Sequence, residues 1–337
     1  MIRYIEEMPG QLIQGFQIGQ AVRCPTSFRS VKTIVFSGMG GSAIGGDLLR
    51  SAFWDRWKVP FLLSRGYTAP SFVGPTTLFI ASSYSGRTEE TLASFEQARL
   101  RKAKLLVLTS GGKLAQKAQA LGVPCAMFPP GYPPRAALGL SFSAPLAVLS
   151  GLGLAGGSEA SILKTSRFLQ QSIRKHLGPS VSTSSNLAKR LAAALWEKVV
   201  FVYASKDHLE AVACRWRSQI HENAKMLAAC NFFPEMNHNE IVGWRKPQKV
   251  LAQSAAVFLR DQEDHSSNLR RMGLSAEIIR ELGVAVEEVD AQGSDRLARL
   301  FWLVLLGDFM SYYLSVLNRV DPTPVESVER IKKALAG

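Results

Sequence analysis

VFSGMGGSAIGGDLL, residues 35–49, joins an apolar run to a helical pattern through a cluster of glycines. Such a bare backbone can turn sharply after a strand, and the N–H groups at the start of the helix then attract an anion. Gly38-x-Gly40 resembles part of a dinucleotide fingerprint, but the next predicted strand, FLLSRG, ends without the acidic residue that binds a ribose hydroxyl. Arg65 in that segment could bind the 2′-phosphate of NADP, so an NADP site stays possible. The sequence has no GxxxxGKS or GxxxxGKT motif, which excludes a P-loop. Glycines that serve only tight strand–helix packing are the other interpretation.

Apolar runs of strand length alternate with helical periods along the chain. Runs of this kind are typical of strands buried on both faces, and their alternation with helices predicts βαβ units in a doubly wound parallel α/β fold. In the first half the predicted strands are 33–38, 61–64, 78–83 and 104–110, and the predicted helices are 43–53, 88–101 and 113–121. The second half repeats the pattern with strands 198–205, 250–261 and 284–290, helices 208–229 and 266–282, and two final helices. We therefore expect a second sheet related in plan to the first.

The composition limits the partners and the compartment. Among 337 residues, 40 basic and 27 acidic side chains give a net charge of +13, which favours anionic partners such as phosphorylated metabolites, nucleic acid or an acidic membrane. The basic residues are scattered rather than interleaved with aromatic ones, which disfavours nucleic acid. The four cysteines form no CxxC pair, so the sequence predicts neither a zinc site nor a disulfide framework and favours a reducing cytoplasm. The acidic start MIRYIEEMPG does not resemble a signal peptide.

Two apolar stretches raise the alternative of a membrane protein. Residues 136–157 are uncharged but are interrupted by Gly, Ser and Pro, and residues 300–317 carry Asp308 in the middle. A charge at that depth costs about 2.5–3.5 kcal/mol on insertion scales. We therefore expect both stretches to be buried helices of a large core or of a subunit interface.

A second polar turn, SSYSGRTEET at residues 82–91, follows the predicted strand 78–83 and opens the next helix. The hydroxyls of Ser83, Ser85 and Thr88, together with backbone N–H groups, would make a cradle for one phosphate monoester, and Thr88 is a candidate N-cap. A single turn of this kind is usually ordinary helix capping. Two such turns at the carboxyl ends of neighbouring strands, where α/β sheets bind ligands, favour a phosphate.

Several blocks of the sequence resemble a known family. GMGGSAIGGD with SSYSGRTEET resembles the sugar isomerase (SIS) fold, a flavodoxin-like domain that binds phosphosugars. GYPPRAALG (131–139), HENAKMLAACNFFPEMNHNEIVGW (221–244) and VDPTPVESVERIKKAL (320–335) follow in the order typical of the bifunctional phosphoglucose/phosphomannose isomerase family. The resemblance implies an N-terminal SIS domain at 1–150 with a short helical arm, a helical bridge at 151–195, a C-terminal SIS domain at 196–320 and a helical tail at 321–337 that completes the active site.

The same resemblance implies an aldose–ketose isomerase that interconverts glucose 6-phosphate, and also mannose 6-phosphate, with fructose 6-phosphate through a cis-enediol. No cofactor is expected, because only a proton moves. The expected partners are a small sugar phosphate and a second copy of the chain in a homodimer, with no nucleic acid and no membrane. The implied phosphate-binding residues are Gly41, Ser42, Ser83, Tyr84, Ser85 and Thr88.

Glu222 is implied to be the catalytic base. The predicted helix 208–229 has an apolar stripe formed by Leu209, Val212, Trp216, Ile220 and Leu227. Glu222 falls off this stripe beside Lys225, so spacing alone leaves open a surface ion pair worth about 0.2–0.5 kcal/mol. His221 replaces the asparagine that the family commonly has there, and its imidazole could change the strength of the base or the substrate preference.

His238, in the polar turn PEMNHNE, is implied to open the sugar ring by proton transfer and to reach the site from the partner subunit. A loop histidine bonded to the backbone is the plain alternative. A metal site formed by His221, Glu222, His238 and Glu240 is disfavoured, because the sequence has no HExxH or comparable helical pair.

Two further cationic residues complete the implied site. Arg135 follows two prolines that stiffen the turn, and it is implied to stabilise the enediolate, the alternative being an exposed arginine. In the tail, Thr323, Pro324 and Glu326 fit a capping box. The following helix has a stripe, predicted to be buried, of Val325, Val328, Ile331 and Leu335. Lys332 flanks this stripe and Lys333 lies on the polar side, so the active-site lysine that the resemblance implies is assigned to Lys332.

Two other functions stay open at this point. SIS domains also serve as non-catalytic phosphosugar sensors, which would not need Glu222 or His238. An NADP-dependent oxidoreductase would need an adenine–ribose pocket near Arg65.

Overall fold

The computed structural model describes residues 1–206 and 208–336. The chain divides into two compact units. The N-terminal unit comprises Glu6–Gln170 and Arg296–Ala298, and the C-terminal unit comprises Met1–Ile5, Gln171–Asp295 and the chain from Arg299 onward. The domain boundaries expected from the sequence stay predictions.

The sheet of the N-terminal unit has five parallel strands in the order β2-β1-β3-β4-β5. The strands are β1 Thr33–Gly38, β2 Phe61–Ser64, β3 Thr77–Ser82, β4 Lys104–Thr109 and β5 Cys125–Met127. The four predicted strands are confirmed to within one residue at each end, and β5 was not predicted. The order is that of a flavodoxin-like fold, as expected. Gly38 at the end of β1 lies in register with Ser82 at the end of β3, so the turns that follow both strands leave from one edge.

Seven helices accompany this half of the chain: α1 Ile2–Glu6, α2 Met8–Ala21, α3 Gly40–Ala52, α4 Glu89–Leu100, α5 Gly112–Ala120, α6 Leu138–Gly151 and α7 Glu159–Ser172. Phe79 of β3, Phe95 of α4 and Leu114 of α5 belong to one buried cluster on this sheet. In α6, every residue from Leu138 to Leu149 is buried, and α2 packs along it. The uncharged stretch that begins at 136 therefore forms a core helix, as expected.

The sheet of the C-terminal unit has four parallel strands in the order β7-β6-β8-β9. They are β6 Val199–Ser205, β7 Ala228–Phe233, β8 Ser254–Arg260 and β9 Ala285–Asp290. This order repeats that of the first four strands, which confirms the expected relation in plan. The prediction of a helix up to 229 is wrong, because β7 begins at Ala228 and pairs with β6.

The second half of the chain carries α8 Leu187–Leu195, α9 Glu210–Gln219, α10 Glu240–Gly243, α11 Gln248–Leu251, α12 Ser266–Glu281, α13 Arg296–Leu317 and α14 Glu326–Ala336. Helix α9 ends at Gln219 and is followed by a π-helical turn, Ile220–Ala224, which we call the 220–224 turn. Lys225 then adopts a left-handed conformation with φ +57°, which ends the helix. Leu227, assigned to the apolar stripe, is consequently 75% exposed, while the other four stripe residues are buried. Strand β8 begins later than predicted because α11 occupies the start of that stretch.

Helix α13 is long and apolar enough to cross a membrane by length and composition, and 83% of its apolar window is buried within the structure. Asp308 in its middle is also buried. Arg215 of α9 donates to both carboxylate oxygens of Asp308, at 2.9 and 2.7 Å, and Gln219 donates to one of them at 2.9 Å. This satisfied ion pair explains why a charge stands in an apolar helix, as the expectation of a buried core helix requires.

Helix α14 differs from the expectation at both its start and its face. It begins at Glu326, with Val325 O accepting from Glu329 N, so the predicted cap at Thr323 is wrong. The backbone N–H of Thr323 donates instead to Asp321 Oδ1 at 2.8 Å. The stripe predicted to be buried is exposed: Val328 by 44%, Ile331 by 60% and Leu335 by 72%. An amphipathic pattern fixes which face is apolar, but it does not identify the surface that covers it.

Candidate active site

The glycine loop joins β1 to α3 and brings a second segment close to it. Gly40 has φ +47°, a left-handed conformation that favours glycine. A Cβ at Gly41 would lie 2.6 Å from the backbone nitrogen of Arg135 and 2.7 Å from the carbonyl carbon of Pro134. The absence of a side chain at Gly41 therefore lets the turn of Arg135 approach the first residues of α3.

Arg135 lies in a single 3₁₀ turn, Pro134–Ala136, directly before α6. Its residue is only 4% exposed, so the interpretation as an ordinary exposed arginine is wrong. Burial of a guanidinium requires bonding partners or an anion. The backbone of Arg135 lies beside the glycine loop at Gly41.

The second polar turn runs from Ser83 to Thr88, between β3 and α4. Ser83 and Tyr84 are buried, Thr88 is half-buried and Ser85 is exposed. The hydroxyls of Ser83 and Thr88 lie 2.8 Å apart. Thr88 occupies the predicted N-cap position, but its side chain makes no capping hydrogen bond to α4. The turn therefore leaves the first N–H groups of α4 without a side-chain cap from Thr88, which suits an anion.

Direct hydrogen bonds connect the two turns with the segment of Arg135. Ser42 Oγ accepts from the backbone N–H of Tyr84 at 3.0 Å, and Ser82 Oγ donates to Ser42 O at 3.0 Å. The hydroxyl of Tyr84 donates to Pro129 O at 2.7 Å and accepts from Tyr132 N at 3.0 Å. The structure thus brings together the six predicted phosphate-binding residues and Arg135, all within the N-terminal unit.

A third turn at this edge was not predicted as functional. Gly86 has φ +63°, and a Cβ there would overlap the carbonyl oxygen of Gly111. Ser110 donates to Tyr84 O from both its backbone nitrogen, at 2.9 Å, and its hydroxyl, at 2.6 Å. The sequence signal was present in TSGG, residues 109–112, which follow β4.

The NADP interpretation required Arg65 to bind the 2′-phosphate of the cofactor. Its guanidinium forms an ion pair with Asp47 of α3. Burial raises the pKa of Asp47, and the adjacent Arg65 and Arg50 act in the opposite direction. The guanidinium is thus bonded to a carboxylate of its own unit, which disfavours the dinucleotide interpretation.

Glu222 lies in the 220–224 turn and is half-buried. Neighbouring side chains hold this turn: Asn223 Nδ2 donates to Ser311 Oγ at 3.0 Å, and Asn318 Nδ2 donates to Ala224 O at 2.9 Å. Lys225 Nζ donates to Glu222 O and to Pro324 O, both at 2.6 Å. Lys225 therefore binds the backbone of this turn, and the position of Glu222 is fixed from α13 and from the tail.

The two histidines near this turn occupy different settings. His221 Nε2 lies 2.9 Å from Ala228 O and 3.1 Å from Ala228 N, so its imidazole contacts the first residue of β7. His238 ends the 3₁₀ turn Glu235–His238 and is exposed. Glu240 accepts from Tyr203 and Asn231. Among residues 1–206 and 208–336, no three His, Cys, Asp or Glu side chains are grouped so as to hold a metal ion.

Lys332 and Lys333 are both exposed on α14. Three residues of the apolar stripe that Lys332 flanks, Val328, Ile331 and Leu335, are exposed as well, so this stripe does not bury Lys332. The assignment of Lys332 as the active-site lysine stays a prediction.

The carboxyl edge of the second sheet carries a network that sequence analysis missed. Asp261, directly after β8, accepts from Arg299 Nε at 2.8 Å and lies 3.2 Å from His208 Nε2. Arg299 also pairs with Glu263. Asp261, His208 and Arg299 are at least 96% buried. Burial raises the pKa of Asp261, but the adjacent His208 imidazole and the hydrogen bond from Arg299 outweigh it and hold that pKa well below its usual range.

Comparison with known proteins gives concordant matches. The model of the bacterial phospho-glucose isomerase C-terminal SIS domain matches residues 184–335. A bifunctional phosphoglucose/phosphomannose isomerase from Caldicellulosiruptor bescii is 40% identical over 336 residues, covering 100% of this chain and 99% of that protein. One from Aquifex aeolicus is 33% identical over 305 residues, covering 90% of each chain.

A solved structure has a similar fold. The tagatose-6-phosphate ketose/aldose isomerase from Escherichia coli gives a TM-score of 0.69 at 17% identity, covering 96% of this chain and 95% of that one. At that identity the match shows a common fold and nothing further.

Proposed function

The chain belongs to the bifunctional phosphoglucose/phosphomannose isomerase family, and from that premise we propose that it interconverts glucose 6-phosphate and mannose 6-phosphate with fructose 6-phosphate. The reaction moves a proton between C1 and C2 through a cis-enediol. It needs a phosphate site, a base beside the C–H bond, and positive charge near the developing enediolate.

The observation that carries the proposal is the hydrogen-bonded assembly of the two polar turns with Arg135. Ser42 and Tyr84 join the turns, and Gly41 admits the backbone of Arg135. We assign the phosphoryl group to the N–H groups and hydroxyls of this edge, with Ser85 and Thr88 the accessible side chains. A buried Arg135 beside it would stabilise negative charge on the enediolate oxygen.

We assign proton abstraction to Glu222. Bonds to the backbone and side chains of the 220–224 turn fix its main chain, which reduces the reorganisation needed before a proton is transferred. Glu222 is half-buried, so its carboxylate is partly shielded from water and is still accessible to a ligand. The assignments of ring opening to His238 and of a sugar contact to Lys332 follow the family resemblance.

We further propose a homodimer whose active site includes His238 of the second copy. His238 is exposed, and apolar side chains are exposed on the same unit, with Leu227 at 75% and Val242 at 72%. Exposed apolar groups that form one patch are typical of surfaces that bind a partner, and we expect the second copy on the face of this unit that carries His238. A reducing cytoplasm remains the compartment that we propose.

The isomerase is tested by incubating the protein with fructose 6-phosphate in deuterated water and following the products by NMR. We expect glucose and mannose 6-phosphates with deuterium at C2. Glu222→Gln should lower kcat about 100- to 10,000-fold with binding retained, because an amide cannot accept the proton. Glu277→Gln, on the exposed face of α12, is the matched control and should leave kcat unchanged.

Binding of fructose 6-phosphate without any product would instead indicate a sensor. Turnover equal to wild type in Glu222→Gln would remove Glu222 as the base.

The shared site is tested by coexpressing Glu222→Gln with His238→Ala. If each site takes these residues from different copies, mixed dimers contain one intact site, and activity should recover to about a quarter of wild type. The proposal would be contradicted if the coexpressed protein were no more active than either variant alone. It would also be contradicted if light scattering showed a monomer.

A further inference from the structure

Two of the four cysteines lie next to each other in the C-terminal unit. Cys214 is on α9 and Cys230 is on β7, and their Sγ atoms are 3.8 Å apart. Both residues are partly exposed. Helix α9 packs against β7, so the fold itself, rather than a CxxC spacing, places the two thiols together.

The surroundings of Cys230 favour its thiolate. Arg217 Nη1 lies 3.5 Å from Cys230 Sγ. The hydrogen bond with Cys214 lowers the pKa of Cys230, burial raises it and Arg217 lowers it, with a result of about 7. By contrast, burial raises the pKa of Cys125 to about 11 and also raises that of Cys24. Because the thiolate is the reactive form, oxidants should react with Cys230 before Cys24 or Cys125.

We propose that Cys214 and Cys230 form a reversible, peroxide-sensitive dithiol that closes to an intramolecular disulfide. This inference does not depend on the proposed isomerase activity. Bond formation requires the two sulfurs to approach from 3.8 Å to about 2.0 Å. Rotation of the two side chains is the movement we expect to bring this about.

The chemistry balances with hydrogen peroxide as the oxidant. The thiolate of Cys230 attacks one peroxide oxygen, the O–O bond breaks, and Cys230 becomes a sulfenic acid. The other oxygen leaves as hydroxide, which takes up the proton that the Cys230 thiol had released and becomes water. The thiol of Cys214 then attacks Cys230 Sγ, an S–S bond forms, and the sulfenic oxygen leaves with the proton as a second water. Two electrons pass from the sulfurs to the peroxide. A dithiol such as dithiothreitol reverses the process by exchange.

The disulfide would close a loop that includes the 220–224 turn. Cys214 precedes this turn on α9 and Cys230 follows it on β7. The bond would therefore tether the segment of Glu222 at both ends.

The test uses the full-length reduced protein and hydrogen peroxide, with peptide mapping by mass spectrometry under non-reducing conditions. We expect a linked peptide pair containing Cys214 and Cys230, formed while Cys24 and Cys125 remain reduced, and lost again on treatment with dithiothreitol. In Cys214→Ser, Cys230 should instead be trapped as a sulfenic acid that reacts with dimedone. Cys125→Ser is the matched control and should still form the linked pair.

A second variant separates reactivity from folding. Arg217→Gln should slow peroxide oxidation of Cys230 about tenfold near neutral pH and restore it at higher pH, because only the thiolate fraction changes. Circular dichroism equal to wild type shows that the fold is kept. Equal oxidation rates at all four cysteines, or no linked pair in the wild-type protein, would overturn the proposal.

Discussion

The carboxyl edges of the two sheets carry different chemistry although the sheets share one strand order. At the first edge, three turns rich in glycine, serine and threonine follow β1, β3 and β4 and carry hydroxyl and N–H groups. At the second edge, Asp261, His208 and Arg299 are buried against one another. The first edge presents hydrogen-bond donors to a ligand, whereas the charged side chains of the second edge are paired with one another.

This difference indicates that the proposed phosphate site depends on the turns and not on the sheet. An anion at the second edge would have to compete with Asp261 for Arg299 and would meet a second buried carboxylate, Asp264. Such a replacement is unfavourable, since a buried charge that loses its partner costs several kcal/mol. We therefore expect the second edge to contribute to stability and the first edge to contribute to ligand binding.

The largest expected effect is on stability at the second edge. Asp261→Ala removes the buried carboxylate that pairs with Arg299 and leaves it only the partly exposed Glu263, so we expect the free energy of unfolding to fall by about 3–5 kcal/mol. Asp290→Ala, whose side chain is 71% exposed and pairs with Arg260, is the control and should cost about 0–1 kcal/mol. Urea denaturation followed by circular dichroism measures both. An equal loss of unfolding free energy in the two variants would show that the buried network does not stabilise the protein more than the exposed ion pair does.

Acid pH should affect the same network. A carboxyl whose pKa is lowered by folding contributes stability that is present above its unfolded pKa, about 3.9, and is lost as the pH falls through its folded pKa. Below about pH 4, unfolding free energy should therefore decline more steeply in wild type than in Asp261→Ala. Parallel declines would contradict the assignment of the lowered pKa to Asp261.

An intermediate effect is expected where the glycine loop meets Arg135. Gly41→Ala would place a Cβ 2.6 Å from Arg135 N, so the backbone must shift, at a cost of about 1–3 kcal/mol. We expect kcat/KM to fall about 100-fold through misplacement of Arg135. Gly273→Ala, in α12 with open space around it, is the matched control for both quantities. Unchanged kcat/KM in Gly41→Ala would show that this contact does not position Arg135.

The smallest effect concerns a single hydroxyl at each edge. Thr88→Val should weaken binding of fructose 6-phosphate about tenfold, as expected for one lost hydrogen bond to a charged group. Loss of the bond to Ser83 should also lower the free energy of unfolding by about 0.5–1.5 kcal/mol. Ser205→Ala, at the end of β6, should leave binding unchanged. Isothermal titration calorimetry compares the two in the Glu222→Gln background, where turnover does not interfere. A larger loss of binding in Ser205→Ala would reverse the roles of the edges.

The first edge could be predicted from the sequence because its signals are local. Strands β1 and β3 are continuous apolar runs, and the residues that follow each strand are the ones that form the turn. Their neighbourhood then follows from the strand order of a doubly wound sheet. Ser42 and Tyr84, which the family resemblance implies, are joined by a hydrogen bond between these turns.

The rest depends on contacts between distant positions. AACNFF, which forms β7, has little strand character of its own, and pairing with β6 together with the left-handed Lys225 decides its structure. The buried network of the second edge is formed by residues from three separate segments, Asp261, His208 and Arg299. No spacing pattern in the sequence could therefore predict it. The stripe of α14 was recognised, but the surface that would bury it could not be read from its own residues.

The most direct test of the account is a crystal structure of Glu222→Gln with fructose 6-phosphate bound. We predict that the phosphoryl group lies at the first edge, within hydrogen-bond distance of Ser85 or Thr88 and of N–H groups at the start of α4. C1 and C2 should then lie beside the carboxamide of the substituted side chain. A phosphoryl group bound at Arg299 on the second edge, or a sugar whose reacting carbons lie away from position 222, would contradict it.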